Sequence, residues 1–144
     1  MDVDKYQKTL KLCFLKDEID KLKFGDETLI GDKGLKITES FKTRISLAWS
    51  VYADRDILLM DNFLTALPSY MRKQIIQDVL VDHFRDKTRI IVPYSFHVLP
   101  SADWIIALEN GSIIFDGTYD ELISSEYYKS IAEANLKPVD LKNE

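Results

Sequence analysis

The sequence is poor in cysteine, glycine and proline, has no block of like charge and has no long apolar run. Its single cysteine, Cys13, excludes an intramolecular disulfide. A lone thiol among apolar neighbours reads as a small core residue in a reducing compartment. Five glycines and four prolines in 144 residues exclude collagen-like and low-complexity chains. Nineteen Lys and Arg are interspersed with 24 Asp and Glu, for a net charge of -5. No clustered positive field is left to grip a phosphate backbone, so no nucleic-acid partner is expected. Pro93 and Pro100 interrupt the longest uncharged stretch, residues 90–102, which is shorter than the roughly 20 residues of a spanning helix. The start, Met1-Asp2-Val3-Asp4, shows no basic stretch leading into an apolar one, so neither a secretory leader nor a membrane span is expected. The implied setting is intracellular. His83, His97 and Cys13 lack the spacing of a metal site.

What is present is a globular composition, 46% apolar and 11% aromatic, in a length that suits one domain. We read that domain as residues 1–137 and residues 138–144 as a polar C-terminal tail. Apolar residues at helical spacing from Lys5 to Leu22 predict one or two short helices. Gly25, Gly31 and Gly34 mark a loop with a short extended piece at Thr28-Leu29-Ile30. Thr38 caps a helix that runs through Phe41, Ile45, Ala48, Val51 and Tyr52 and ends near Asp54. The run from Asp56 to Asp61 reads as a buried strand of a parallel sheet, and the run from Arg89 to Val92 as a second. Between them, Pro68 opens an amphipathic helix through Ile75, Ile76, Val79, Leu80 and Phe84. Asn110-Gly111 between two apolar runs is a tight hairpin turn, and Thr118-x-x-Glu121 is a capping box opening a last helix. The alternation of helix and strand gives an α/β class with a mainly parallel sheet, plus a C-terminal β-hairpin and helix.

Several segments, in one collinear order over about nine-tenths of the chain, resemble the C-terminal half of an ATP-binding cassette (ABC) nucleotide-binding domain. The likeness is greatest to the multidrug-resistance-protein subfamily, subfamily C. The segments are Asp26-Glu27-Thr28-Leu29-Ile30-Gly31-Asp32-Lys33-Gly34, Arg44-Ile45-Ser46-Leu47-Ala48, and Val51-Tyr52-Ala53-Asp54-Arg55-Asp56-Ile57-Leu58-Leu59-Met60-Asp61. Further on come Lys87-Thr88-Arg89-Ile90-Ile91-Val92, Val98-Leu99-Pro100-Ser101-Ala102-Asp103, Glu109-Asn110-Gly111 and Gly117-Thr118-Tyr119-Asp120-Glu121-Leu122. The resemblance implies a partial P-loop NTPase, ABC ATPase-like, fold.

At the family's chemistry-bearing positions the sequence departs from the pattern. No Gly-x-x-x-x-Gly-Lys-Ser/Thr run exists to cradle phosphates, and the nearest look-alike, Gly25 to Gly31 followed by Asp32-Lys33, has the wrong spacing. In the family the P-loop lies upstream of the part represented here. The signature Leu-Ser-Gly-Gly-Gln is replaced by Ile37-Thr38-Glu39-Ser40-Phe41, in which Thr38 keeps a hydroxyl but Glu39 puts a carboxylate where phosphate would approach. Asp61 stands where the family orients magnesium, and Asn62 replaces the carboxylate that polarises water; an amide cannot act as a general base. Thr65-Ala66-Leu67-Pro68 loses the acid of the D-loop, and Tyr94 replaces the switch histidine. The expectation is a pseudo-ATPase with no catalytic residues, cofactor or metal of its own. Such a chain would work as a structural or protein-binding subunit whose partners cover the exposed sheet edge, with an ABC transporter among the candidates. The alternative is a regulatory or split half whose P-loop comes from another chain. Trp49, Trp104, Phe63 and Tyr70 are candidates for packing against partners or equally for ordinary core, and for Trp104 on a strand, core is the favoured reading.

Overall fold

The computed structural model describes residues 2–31, 35–93 and 96–135, with the side chains of 96, 97 and 131–135 excepted. Asp32-Lys33, Tyr94 and the tail 138–144 lie outside the described residues. The chain forms two compact units, Met1–Tyr94 and Ser95–Glu144.

In the first unit, Asp2 caps α1 (Val3–Leu12) by accepting from the Lys5 N–H, and α2 (Lys16–Ile19) follows after one turn. Cys13 lies between them, fully buried, and burial pushes its thiol up to about 12. It therefore stays protonated and packs as a small apolar side chain, as its neighbours imply. The extended piece near Ile30 is reduced to one bridge with Leu35. Helix α3 (Glu39–Ala53) buries Phe41, Leu47, Ala48 and Val51 along one stripe, and Arg44 with them. It stops at Asp54, whose left-handed φ of 50° ends the helical hydrogen-bond pattern.

Strand β1 (Ile57–Asp61) pairs in parallel with β2 (Thr88–Val92), with Leu59 opposite Ile90. Parallel neighbours need a crossover, and here it contains α4 (Ser69–Ile75), continued by a π-helix over Ile76–His83. A continuous α-helix was expected over this segment. Ile75 with Leu80, and Val79 with Phe84, lie five residues apart, and the wider π turn stacks both pairs on the core side. The Phe84 N–H accordingly donates to the carbonyl of Val79, five residues back.

The apolar run of β1 suggested burial on both faces, but Leu58 and Met60 point inward while Ile57, Leu59 and Asp61 point out. An apolar run does not reveal whether one face or two is covered, and among the described residues only one is. Leu59 remains 75% exposed and Ile90 across from it 55%.

The second unit begins with a 3₁₀ turn at Phe96–Ser101. Strands β3 (Ile105–Glu109) and β4 (Ser112–Gly117) then form an antiparallel hairpin. Its turn uses positive φ at Asn110 (48°) and Gly111 (79°), the pair of angles that Asn-Gly accepts with least strain. The capping box is present at α5 (Tyr119–Ser124): the Thr118 hydroxyl accepts from the Glu121 N–H, and Glu121 accepts from the Thr118 N–H at 2.8 Å. α6 (Glu126–Asn135) closes the described chain. Trp104 is not core: it is more than half exposed, and its indole N–H donates to the Asp116 carboxylate. The fold is mixed helix and sheet, and the described strands divide evenly between one parallel and one antiparallel pair.

Candidate functional site

The family-aligned positions fall at two places in the first unit. Thr38 sits just before α3 in extended backbone, and its hydroxyl oxygen accepts from the Phe41 N–H at 3.2 Å. That lone pair already satisfies one of the helix's free donors. Glu39 occupies the first turn and pairs with Lys42 Nζ at 2.6 Å, so the positive end of the helix already faces a carboxylate. Both residues are exposed.

Asp61 ends β1 on its exposed face. Asn62 follows with a left-handed φ of 46°, its N–H donating to the Val92 carbonyl at 2.9 Å and its own carbonyl accepting from Thr65 Oγ1 at 3.0 Å. These bonds turn the chain sharply at the strand end, a role that Asn fills because it tolerates positive φ. Trp49 and Tyr70 are exposed, while Phe63 packs on the core. Tyr94, the switch position, lies outside the described residues. Among those residues no hydrogen bond or ion pair joins Thr38 and Glu39 to Asp61 and Asn62, and no cluster of three His, Cys, Asp or Glu is shaped to hold a metal ion. No described helix is long and apolar enough to cross a membrane.

Three features escaped the sequence. Arg44 is buried at the centre of the helical layer; its place three residues after Phe41 and three before Leu47 was the available signal. Tyr6 and Asp26, twenty residues apart, hydrogen-bond at the edge of a cavity of about 570 Å³ between α1, α2 and α3. His83, at the end of the π-helix, buries an Nε2 atom that has no hydrogen-bond partner among the described residues.

Burial holds His83 below its ordinary value near 6.5, and Lys8 and Lys5 add to the shift, while Asp54 and the Val51 carbonyl oppose it. The folded state thus favours the neutral ring. Its contribution is complete above the unfolded value and is lost as pH falls through the lower, folded one. Between pH 7.5 and 5 the urea midpoint of His83→Leu is therefore expected to fall less than that of the parent chain. Parallel pH profiles would remove His83 as a source of acid sensitivity.

No family model matches the chain. Curated relatives do. A multidrug resistance protein of Leishmania tarentolae is 38% identical over 113 residues, 78% of this chain and 7% of that protein. Bile pigment transporter 1 of Saccharomyces cerevisiae is 35% identical over 150 residues, covering 99% of this chain and 10% of the transporter. ABC transporter C family member 5 of Arabidopsis thaliana is 31% identical over 141 residues, covering 97% and 9% respectively. The chain spans a tenth or less of the length of these relatives. It is homologous over most of its length to ABC transporter C family proteins, the multidrug-resistance branch, and belongs with them as the counterpart of one segment.

Proposed function

We propose that the chain is a non-catalytic, ABC ATPase-like piece of P-loop NTPase type that serves as a structural or protein-binding subunit of a larger intracellular assembly. The observation that carries this reading is the pair of changes at Glu39 and Asn62 on an otherwise family-like framework. A magnesium nucleotide does not fit the groups at these positions. The carboxylate in the first turn of α3 repels phosphate, and an amide replaces the group that would take a proton from water. The exposed apolar face of β1 and β2 supports a protein partner, because parallel strands are ordinarily covered on both faces.

Asp61 keeps its place at the strand end with its carboxylate exposed, and this favours a second reading in which another chain supplies a P-loop. The purified full chain is expected to show no ATP turnover above buffer. Turnover abolished by Asp61→Ala would overturn the non-catalytic reading. Cross-linking in the native source followed by mass spectrometry separates the two partner classes: transporter subunits favour the second reading, and subunits of an unrelated assembly favour the first.

A further inference from the structure

The cavity between α1, α2 and α3 is not lined by Thr38, Glu39, Asp61 or Asn62, although Phe41, the last of the signature-aligned positions, does line it. Its volume of about 570 Å³ lies within the range of small-molecule sites. Leu10, Leu22 and Phe41 give it apolar walls, and Tyr6 and Trp49 add aromatic faces. Among the described residues lining it, Asp26 is the one carboxylate, and there is no Lys, Arg or His. Tyr6 donates to Asp26 Oδ2 at 2.8 Å. Burial and that bond push the phenol up to about 12, so it remains a neutral donor and the Asp26 charge is not cancelled. Asp26 Oδ1 has no hydrogen bond among the described residues and is free to accept another. Trp49 is 79% exposed at the rim, so its ring is available to a ligand. The Tyr52 ring already faces Lys5 Nζ at 5.3 Å.

An apolar trough with an aromatic rim and a single negative charge is complementary to one class of small molecule. We propose that this cavity binds a small lipophilic amine, its apolar body lying between α1 and α3 and its ammonium group donating to Asp26. Apolar burial supplies the affinity, and the carboxylate supplies the selection for positive charge. An anionic amphiphile of the same length meets the Asp26 charge, and a neutral one gains the walls alone.

The test compares octylamine, octanol and octanoate at pH 7 on the full chain carrying Trp104→Phe, so that Trp49 fluorescence reports occupancy. Octylamine is expected to bind with one-to-one stoichiometry, on the order of three- to tenfold more tightly than octanol, with octanoate weakest. Asp26→Asn should reduce octylamine to the level of octanol. Asp78→Asn, which removes the same charge from the exposed side of the π-helix, should leave the preference intact. Ala53→Phe, at the exposed rim, should weaken all three ligands while leaving the helical circular dichroism unchanged. Equal affinity for the three ligands, binding of many molecules per chain, or an equal effect of Asp26→Asn and Asp78→Asn would overturn the assignment.

Discussion

Arg44→Met is expected to lower the free energy of unfolding by about 3 kcal/mol, although methionine matches the apolar stem and favours helix. The guanidinium is only 3% exposed and each of its three nitrogens donates: Nη1 to the Phe14 carbonyl at 2.5 Å, Nη2 to Glu18 Oε1 at 2.7 Å and Nε to the Ser40 carbonyl at 3.2 Å. The three acceptors respond differently to its loss. Ser40 lies inside α3, where its carbonyl keeps a helical partner, and the Glu18 side chain is 47% exposed and can turn to water. Phe14 has neither recourse in full. It sits at a left-handed φ of 55° in the turn between α1 and α2, and Arg44 ties that turn to α3. The expected loss is therefore mainly one orphaned carbonyl and one unfastened turn. Glu18→Gln, which keeps every carbonyl satisfied, should cost less than about 1 kcal/mol. Urea unfolding at pH 7 distinguishes the two. If Arg44→Met matched the parent within about 0.5 kcal/mol, Arg44 could not be what fastens the turn.

The elements legible in the sequence are those decided within a few residues. Asn110-Gly111 is a turn because both positions accept positive φ, and Thr118 with Glu121 is a cap because the two side chains and two N–H groups satisfy one another locally. Thr38 and the end of α3 were legible for the same reason. What stayed hidden depends on partners distant along the chain. Arg44 looks like any solvated charge until Phe14, thirty residues earlier, is brought beneath it. The outward half of β1 looks like core because a strand's own residues do not say how many helices flank it. The π turn follows from packing Ile75, Val79, Leu80 and Phe84 on one side, a pattern that a helical count reads as an ordinary amphipathic stripe. At the candidate sites the division is similar. Glu39 and Asn62 could be read from type and order alone, whereas the Tyr6–Asp26 bond and the cavity exist only once α1, α2 and α3 are packed.

Phe84→Ala should have the largest effect of any single change in the first unit, about 3–5 kcal/mol. Its side chain is fully buried at the end of the π-helix, in one cluster with Ile75, Val79 and Leu80, and its ring meets that of His83 at 4.8 Å with a tilt of 59°. Alanine would forfeit the apolar transfer of the ring and leave a void, because the close-packed cluster that Phe84 shares with Leu58, Met60, Ile75 and Val79 relaxes only in part. Domain stabilities are only about 5–15 kcal/mol, so a loss of this size brings the unit near its limit. For a unit of this length each kcal/mol moves the melting midpoint by roughly 4–8 °C, which predicts a drop of roughly 12–40 °C in the Trp49 fluorescence transition on a Trp104→Phe background. Phe84→Leu keeps most of the apolar volume and should lose about half as much or less. The ratio of the two losses is the informative quantity. If both substitutions lowered the midpoint equally, the ring's shape and not its burial would be the stabilising feature. If neither moved it by more than a few degrees, the cluster around Phe84 would not be the part of the core that stabilises the first unit.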